Sequence, residues 1–475
     1  MFEPVIGLEV HLALRTTSKL FCGCSAEGFG ASPNENVCPV CLGLPGTLPV
    51  VNERAVELAL RFAVALGCEV PSTTYFHRKH YFYPDAPKNY QTSQGDVPIG
   101  QHGRVSLPSG KRVGITRCHL EEDAGRLVHP AYADHSLVDL NRAGAPLVEM
   151  VTEPDIRSAE EAREFLAEIR AIAQALGVSD AAPEEGKMRA DVNVSVRLPG
   201  EPFGTKVEVK NLNSFKSVAA ALTFEAKRQA QLLEGGRRVV QETRGWNEGG
   251  QRTYPLRSKE TAADYRYLRD PDIPAVAIPD ERKRAVQASM PELPQARLGR
   301  YRAAGVRGTE AAQIAYDHAV ALLFDATVAA YAGPAQNVAN WLTGEVAGRA
   351  NALGVSAADT KLTPTALARL VELVDAGSLS ATAAKDLVPD LLQGADPAAL
   401  VASRGLDQVS DAAAIETLVT VVMEANPELV ERVRANPKAI NALLGKVMAA
   451  SQGKANPDLA RRSLAGRLAL EEPPG

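Results

Sequence analysis

Hydrophobic and polar positions alternate in short segments of the first part of the chain. Strict alternation in residues 189–197 (RADVNVSVR) and 206–210 (KVEVK) predicts two β-strands, each with one polar and one apolar face. Asp191 and Asn193 then share a polar face. Because the segment VIGLEVH alternates in the same way, it places Glu9 and His11 together on one face of a third strand.

Two amphipathic helices are predicted within the same part of the chain. Ser158 and Glu161 form a capping box at the start of one helix, which Gly177 ends. Asn52 opens the other, and its apolar residues keep helical spacing as far as Gly67. These helices indicate a scaffold and do not identify a reaction.

Beyond residues 291–294 the pattern changes to long Ala/Leu-rich runs with helical spacing. Ala-Asn-Pro recurs at residues 425–427, 435–437 and 455–457, and each copy predicts an Asn cap before Pro at the first helical position. The pattern as a whole predicts an α+β protein. The predicted domains are a mixed α/β domain (1–292), an all-α helical domain (293–408) and a small helical tail domain (409–475).

Composition limits the class of protein. With 475 residues, of which 45% are hydrophobic and 23% charged, the chain is long enough for several domains with separate cores. The sequence has no apolar run that could span a bilayer and no signal-peptide pattern, so we expect a cytoplasmic protein without a membrane partner. The net charge of −5 argues against a generally basic nucleic-acid-binding protein but allows a local basic patch, and DNA is not an expected partner.

All six cysteines and seven of the eight histidines lie within residues 11–135. Cys22 and Cys24 precede Cys38 and Cys41 by thirteen intervening residues, a pattern that can bring four thiolates around Zn²⁺. Four sulfur ligands leave no open coordination position, so this zinc would be structural. The alternative interpretation is four unrelated buried thiols.

The same region is rich in groups that bind hard cations. The acidic and imidazole candidates are Glu9, His11, Glu121, Glu122, Asp123, Glu149 and Asp191. Taken singly, each is more often a surface carboxylate or a satisfied polar group. As a group they suit Mg²⁺, which takes a few protein oxygens and shares its other positions with water and phosphate.

Two missing motifs narrow the chemistry. Residues 109–112 (SGKR) come nearest to a P-loop, but they lack its first glycine and its final Ser/Thr. The sequence also has no GxSxG elbow and no cysteine outside the quartet suited to nucleophilic catalysis. We therefore expect that any nucleotide binds outside a P-loop, and that catalysis does not use a serine elbow or a free cysteine nucleophile.

Several long segments match motifs of one known family. They are VIGLEVH (5–11), CPVCLGLPGTLPVVN (38–52), RK (78–79), YFYPD (81–85), PK (87–88), YQTSQ (90–94), EEDAG (121–125), VDLNR (138–142), EPD (153–155), KNLNSF (210–215) and DYRY (264–267). Through them the chain resembles the B subunits of aspartyl/glutamyl-tRNA amidotransferases. The C-terminal part resembles the same family by composition.

The resemblance implies a ligase that acts on misacylated tRNA. In this family ATP phosphorylates the side-chain carboxylate of Glu or Asp on the tRNA, and ammonia displaces the phosphate to give Gln-tRNA(Gln) or Asn-tRNA(Asn). The implied partners are a glutaminase (amidase) A subunit, which releases ammonia, and a small C subunit. The implied fold is a cradle-like catalytic domain with a large antiparallel sheet, followed by helical domains.

The resemblance also implies roles for particular residues. It assigns Mg²⁺ to His11, Glu122 and Glu149, with Glu9 and Asp191 close by. Zinc occurs in only some members of the family, and this chain retains all four cysteines near residues 22–41.

Five basic residues are predicted to bind anionic groups, two at the reaction site and three on the tRNA. Lys79 and Arg142 are candidates for steering phosphate or the substrate carboxylate. Residues 432–468 hold eight basic residues and one acidic residue, so Lys446, Lys454 and Arg461 are candidates for tRNA contact. A solvated charged face is the alternative explanation of this basic stretch.

Two functions of other classes remain open on the residues alone. A non-enzymatic RNA-binding protein would explain the cysteines and the basic tail, but it gives no role to Glu9, His11, Glu122 and Glu149. A Mg²⁺-dependent ligase for a small carboxylic acid would explain those residues but not the tail. The sequence does not specify whether glutamyl-tRNA, aspartyl-tRNA or both are used.

Overall fold

The computed structural model describes residues 2–28, 30–130, 133–258, 265–406, 412–451 and 454–468. The chain forms two compact units, Met1–Ala296 and Arg297–Gly475. The first contains strands and helices and the second contains helices, so the α+β class is confirmed. The predicted boundary at 408/409 and Asp264 of the DYRY motif lie outside the described residues. The division into three domains stays a prediction.

The strands belong to the first unit. They are β1 (Glu3–Ala13), β2 (Thr73–Thr74), β3 (His77–His80), β4 (Tyr90–Ser93), β5 (Gly100–Ser106), β6 (Arg112–Glu122), β7 (Arg126–Val128), β8 (Leu137–Asp139), β9 (Pro146–Thr152), β10 (Met188–Arg197), β11 (Val207–Lys210), β12 (Glu242–Asn247), β13 (Arg252–Ser258), β14 (Leu268–Arg269) and β15 (Val276–Ala277). The strands predicted at 189–197 and 206–210 are confirmed as β10 and β11.

The helices occur in both units. They are α1 (Glu53–Ala65), α2 (Ala159–Ala175), α3 (Phe215–Glu234), α4 (Asp280–Ala288), α5 (Pro294–Ala303), α6 (Gly308–Ala315), α7 (His318–Ala329), α8 (Ala335–Trp341), α9 (Ala347–Ala352), α10 (Pro364–Asp375), α11 (Ala381–Leu391), α12 (Pro397–Arg404), α13 (Ala412–Ala425), α14 (Pro427–Ala435), α15 (Ile440–Ala450) and α16 (Pro457–Arg467). A π-helical turn, Leu342–Val346, joins α8 to α9. No described helix combines the length and the hydropathy needed to cross a bilayer.

Eight strands form the main sheet, in the order β13-β12-β11-β10-β1-β9-β6-β5. The sheet is antiparallel apart from the parallel pair β11–β12. In the central strand β1, Leu8, Val10 and Leu12 are buried and alternate with the polar Glu9 and His11. Alternation along the strand therefore separates an apolar face from a polar one.

The apolar face of the sheet packs on helices. Side chains of β1, β6, β9 and β10 share one hydrophobic core with those of α1, α2 and α3. As predicted, the Asn52 side chain caps α1 by accepting from the backbone N–H of Ala55, and Ser158 caps α2 by accepting from that of Glu161. These helices pack on the apolar face of the sheet. The opposite, polar face carries the side chains that could bind a ligand.

A small three-stranded sheet, in the order β14-β3-β4, contacts the main sheet through β4 and β6. Its strand β3 carries Lys79, which pairs in register with Gln91 of β4. Both residues belong to motifs that are far from β1 in the sequence. The contact brings them to the side of the main sheet where β6 lies.

The described residues of the second unit form two hydrophobic cores, one within residues 298–401 and one within 415–468. Two of the three predicted Asn caps form side-chain bonds: Asn436 accepts from the N–H of Lys438, and Asn456 accepts from that of Asp458. Asn426 precedes α14 but makes no cap bond, because its side-chain amide donates to the carbonyl of Val422 at 2.8 Å. The Pro at the first position is present in all three copies.

Candidate active site

The register of the central strands gathers polar side chains on one face of the sheet. His11 of β1 lies opposite Glu149 of β9 on one side and opposite Arg189 of β10 on the other. Glu149 in turn lies opposite His119 of β6. Opposed residues of antiparallel strands point to the same face, so four chain segments contribute to a single row.

Two imidazoles enclose the Glu149 carboxylate. His11 Nε2 is 3.3 Å from Glu149 Oε2 and 3.7 Å from Glu9 Oε1. His119 Nε2 is 3.3 Å from Glu149 Oε1 and 3.7 Å from Glu121 Oε2. Each oxygen of Glu149 thus faces a different histidine.

Two overlapping groups of side chains have the spacing of metal ligands. One potential ligand atom from each of His11, Glu121 and Glu149 lies within 4.8 Å of the others, and the same holds for Glu9, His11 and Asp191. Carboxylate oxygens with one imidazole nitrogen suit Mg²⁺ or Mn²⁺. The residues present therefore fit a divalent cation.

The structure does not bring Glu122 to His11 and Glu149, although the resemblance placed Mg²⁺ on it. Adjacent residues of a strand point to opposite faces, and the residue of β6 that lies on the face of His119 is Glu121. Glu122 accepts from the backbone N–H of Thr92 at 2.7 Å and forms an ion pair with Lys88. Among the described residues, the group with metal-ligand spacing that contains Glu149 is His11, Glu121 and Glu149, and Glu122 as a ligand stays a prediction.

Side chains of β4 fix the orientation of Glu121. Ser93 Oγ donates to one carboxylate oxygen at 2.9 Å, and the Gln91 amide donates to the other at 3.2 Å. The carboxylate is buried. Its two oxygens are therefore held in place before any ligand binds.

Burial and like charges shift the pKa values of this face. Burial, reinforced by the charge of Glu149, raises the pKa of Glu9 to about 7. Burial alone would lower the pKa of His11, but the hydrogen bond with Glu149 and the neighbouring carboxylate charges raise it to about 9. Burial opposes ionisation of Glu149 too, yet the charges and hydrogen bonds of His119 and His11 hold its pKa well below the usual range.

Lys79 is a half-buried cation on the same side of the sheet. Burial works to lower its pKa, and the charges of Glu121 and Glu149 raise the pKa above that of an ordinary lysine. Its Nζ lies 5.1 Å from the centre of the Tyr265 ring. Within the described ranges, Lys79 has neither a hydrogen bond nor an ion pair, so its ammonium group is available to an anionic ligand.

Arg142, the other predicted cation, uses Nε and Nη2 in contacts within the protein. It donates to the carbonyls of Ala124 and Gly125, both at 3.0 Å, and pairs with Asp123 at 3.2 Å. Asp123 also pairs with Arg189 at 2.9 Å. These bonds hold the loop that follows β6.

The four cysteines predicted to bind zinc lie together. One Sγ atom from each of Cys22, Cys24, Cys38 and Cys41 is within 4.8 Å of the others, and those of Cys38 and Cys41 are 3.9 Å apart. A Zn²⁺ tetrahedron with bonds of about 2.3 Å requires sulfur–sulfur distances of about 3.8 Å. The quartet therefore has close to the geometry of a closed site.

Lys19 supplies a positive charge beside this quartet. Its side chain is fully buried, with Nζ 3.7 Å from Cys41 Sγ and 2.7 Å from the Asn36 carbonyl oxygen. Among described residues, no carboxylate pairs with it. The Cys22 hydrogen bond, assisted by Lys19, lowers the pKa of Cys41 to about 4, which favours the thiolate that a metal requires.

The predicted tRNA contacts lie on the surface of the second unit. Lys446, Lys454 and Arg461 are all exposed, on α15, before α16 and on α16 respectively. Arg461 donates to the Asn441 side chain at 2.7 Å. The three cations are accessible to a polyanion.

Sequence reasoning missed several residues of the polar face. They are His119, Arg189, Lys210, Gln91 and Ser93. Lys210 pairs with Asp191 at 2.7 Å and thereby ties the predicted acid to β11. The alternation in KVEVK placed Lys210 on the face of Glu208, but only the register of β10 with β11 brings it to Asp191.

Comparisons with known proteins give the same family along nearly the whole chain. Residues 4–284 match the family model described as GatB/GatE catalytic domain, and residues 322–468 match that described as GatB domain. A Deinococcus radiodurans protein, named as the B subunit of an aspartyl/glutamyl-tRNA(Asn/Gln) amidotransferase, is 54% identical over 99% of this chain and 100% of its own length. Proteins of the same name from Thermus thermophilus and Anaeromyxobacter dehalogenans are 53% and 48% identical, covering 99% and 98% of this chain and 100% and 99% of their own lengths.

Proposed function

Because the chain belongs to the family of aspartyl/glutamyl-tRNA(Asn/Gln) amidotransferase B subunits, we propose that its polar sheet face is the site where the tRNA-bound carboxylate is activated. The chain is a subunit of a tRNA-dependent amidotransferase, an enzyme of the ligase class. The substrates would be ATP and a tRNA carrying Glu or Asp in place of Gln or Asn. The observation that carries the proposal is the convergence of His11, Glu121 and Glu149 on the side of the sheet where Lys79 lies.

Activation requires two anions to react with each other. A side-chain carboxylate oxygen attacks the γ-phosphorus of ATP, the bond to the β-phosphate oxygen breaks, and ADP leaves an acyl phosphate on the amino acid. Bound Mg²⁺, held by His11, Glu121 and Glu149, would screen the repulsion between carboxylate and phosphate. Lys79 is placed to add a second positive charge, because it is half-buried and has no ion pair among the described residues.

Amidation follows at the carbonyl carbon of this acyl phosphate. Ammonia attacks the acyl carbonyl, the carbon–oxygen bond to phosphate breaks, and the nitrogen loses a proton. Glu9, a carboxylate on this face that lies 3.7 Å from His11, is placed to accept that proton. Ammonia would come from a glutaminase A subunit associated with a small C subunit.

The test is ATP turnover by the assembled enzyme with four substrates: glutamyl-tRNA, aspartyl-tRNA, uncharged tRNA and free glutamate. We expect ADP formation only with a misacylated tRNA, and an amide product only when glutamine or ammonia is added. Turnover with free glutamate alone would favour a small-molecule ligase. Binding of RNA without turnover on any substrate would favour a non-enzymatic RNA-binding protein.

A cytoplasmic location, where misacylated tRNA is made, stays a prediction.

We also propose that the cysteine quartet holds a structural Zn²⁺. The four sulfur donors fit zinc, and the buried Lys19 offsets part of the negative charge of a metal bound by four thiolates. No coordination position would be left for substrate, so this zinc would stabilise the fold. It would take no part in the reaction.

Metal affinity at the polar face is expected to rise with pH. His11 must lose a proton before it can bind a metal, and its pKa of about 9 means that this proton is still bound at neutral pH. Between about pH 6.5 and about pH 8.5 the dissociation constant for Mn²⁺ should fall about tenfold per pH unit. Titration of the full enzyme with Mn²⁺, followed by electron paramagnetic resonance, measures it, and a pH-independent affinity would remove His11 from the ligand set.

The helical tail is proposed to bind the body of the tRNA. Reversing the charge of Lys446, Lys454 and Arg461 to Glu should weaken tRNA affinity by about tenfold or more and reduce the salt slope of binding by about three. Turnover at saturating tRNA should fall much less than turnover at low tRNA, since the polar face lies in the other unit.

The matched control reverses three other exposed cations of the second unit: Arg302, Lys361 and Lys385. Both triple variants change the net charge by the same amount, so a general electrostatic effect would appear in both. If the control weakens tRNA binding as much as the tail variant, the basic stretch is only a solvated face.

A further inference from the structure

His119 contacts the same carboxylate as His11, but among the described residues it does not belong to either group of this face that has metal-ligand spacing. It is buried on β6, two residues before Glu121. Its Nε2 faces two carboxylates at once, at 3.3 Å from Glu149 and 3.7 Å from Glu121. Both carboxylates belong to the group that fits a divalent cation.

The surroundings of Nδ1, the other nitrogen of the His119 ring, indicate which nitrogen carries the proton. Nδ1 is buried and, among the described residues, has no hydrogen-bond partner. A proton on Nδ1 alone would leave a buried donor unpaired and two carboxylates facing a lone pair, which is costly. The proton therefore resides on Nε2, where it is donated to Glu149 at 3.3 Å.

In this arrangement the two carboxylate oxygens of Glu149 contact different histidines. One oxygen, Oε1, is nearest to His119, and the other, Oε2, is nearest to His11. A carboxylate held through one oxygen cannot rotate freely, so its second oxygen keeps a fixed direction. Glu121 is held through both of its oxygens by Ser93 and Gln91 of β4.

We propose that His119 is a positioning residue, which donates through Nε2 to Glu149, lies 3.7 Å from Glu121 and thereby sets the affinity of the metal centre without itself binding the metal. The inference rests on the proposed activation site. It assigns different roles to two histidines that both contact Glu149: His11 would bind the cation, and His119 would orient the carboxylates that bind it.

The experiment compares three substitutions in the assembled enzyme. His119→Leu removes the donor, His119→Gln keeps an amide N–H at about the place of Nε2, and His11→Gln removes the proposed ligand. Mn²⁺ affinity is measured by electron paramagnetic resonance, and pulsed measurements of ¹⁴N coupling report whether an imidazole is bound to the metal. The Mg²⁺ dependence of turnover is measured in parallel, and melting temperature reports folding.

We expect His119→Leu to weaken Mn²⁺ binding by about 10- to 100-fold, with the ¹⁴N coupling retained. His119→Gln should restore affinity to within about threefold of the native value, which a purely structural role for the ring would not predict. The apparent KM for Mg²⁺ should rise in His119→Leu, while kcat at saturating Mg²⁺ falls much less. His11→Gln should lose the ¹⁴N coupling.

Three results would overturn the inference, and they are distinguishable. Loss of the ¹⁴N coupling in either His119 variant, with its retention in His11→Gln, would make His119 the ligand. Native affinity in a folded His119→Leu variant would show that the carboxylates do not need it. Absence of Mn²⁺ binding in the native enzyme would instead remove the metal centre itself, and the proposed activation site with it.

Discussion

Glu121→Gln is expected to slow formation of ADP from ATP and misacylated tRNA by about a thousandfold, with tRNA affinity and the fold retained. The substitution keeps the shape of the side chain. Its amide oxygen can still accept from Gln91, and its amide N–H can donate to the Ser93 hydroxyl, but a negative charge is removed from the group that fits a cation. Because the charge is needed when phosphate is transferred, the loss should appear in kcat. Single-turnover formation of ADP at saturating tRNA measures this step.

Glu122→Gln is the matched control, because it makes the same chemical change one residue along the same strand. Glu122 faces Lys88 and the Thr92 N–H rather than His11, so Mn²⁺ affinity should stay near the native value. Some loss of stability is expected, because Lys88 loses its charged partner. If Glu122→Gln lost Mn²⁺ binding and Glu121→Gln retained it, the ligand set would return to the one that the family resemblance implied.

The contrast between these two residues shows how far sequence patterns could be used. Alternation correctly placed Glu9 with His11, and Asp191 with Asn193, because a strand fixes which side chains share a face. Applied to residues 118–122 (CHLEE), the same rule puts Glu121 on the face of His119 and Glu122 on that of Leu120. The sequence therefore contained the information that places Glu121, and not Glu122, on the face of His119.

Pairing between distant strands could not be obtained in this way. His11 meets Glu149 only because β1 and β9 are neighbours in a particular register, and local alternation says nothing about register. Lys79 reaches the site through the contact of a separate small sheet with β6. The double contact of His119 depends on β6 and β9 together, which explains why no sequence motif pointed to it.

In contrast, the clustering of the four cysteines could be predicted from their spacing alone, because one turn of the chain is enough to bring two close pairs together. What spacing could not give was Lys19, whose buried ammonium lies against Cys41 and the carbonyls of Asn36 and Leu140. These contacts join the quartet to the segment before Gly144, which borders the same cavity as Glu122. Loss of the metal would therefore also destabilise the segments that Lys19 contacts.

Cys41→Ser is expected to remove the bound zinc and to lower the free energy of unfolding of the first unit by about 4 kcal/mol. A closed four-thiolate site contributes folding energy, and serine does not replace a thiolate as a zinc ligand. Lys19 would in addition lose the sulfur that it contacts and remain a buried cation. Zinc content by mass spectrometry and thermal unfolding of the purified chain, with and without a chelator, measure both effects.

Cys68→Ser provides the control, since it makes the same change at a cysteine outside the quartet. Cys68 packs over Gly100 and Gly103 of β5, so its loss should alter local packing while one zinc per chain is retained. Chelator should destabilise the native protein and Cys68→Ser alike, and it should leave Cys41→Ser unaffected, because that variant has no zinc to lose. Native protein without zinc, or Cys41→Ser with a full equivalent, would contradict the assignment. In either case the contact of Lys19 with Cys41 would need an explanation that does not involve a metal.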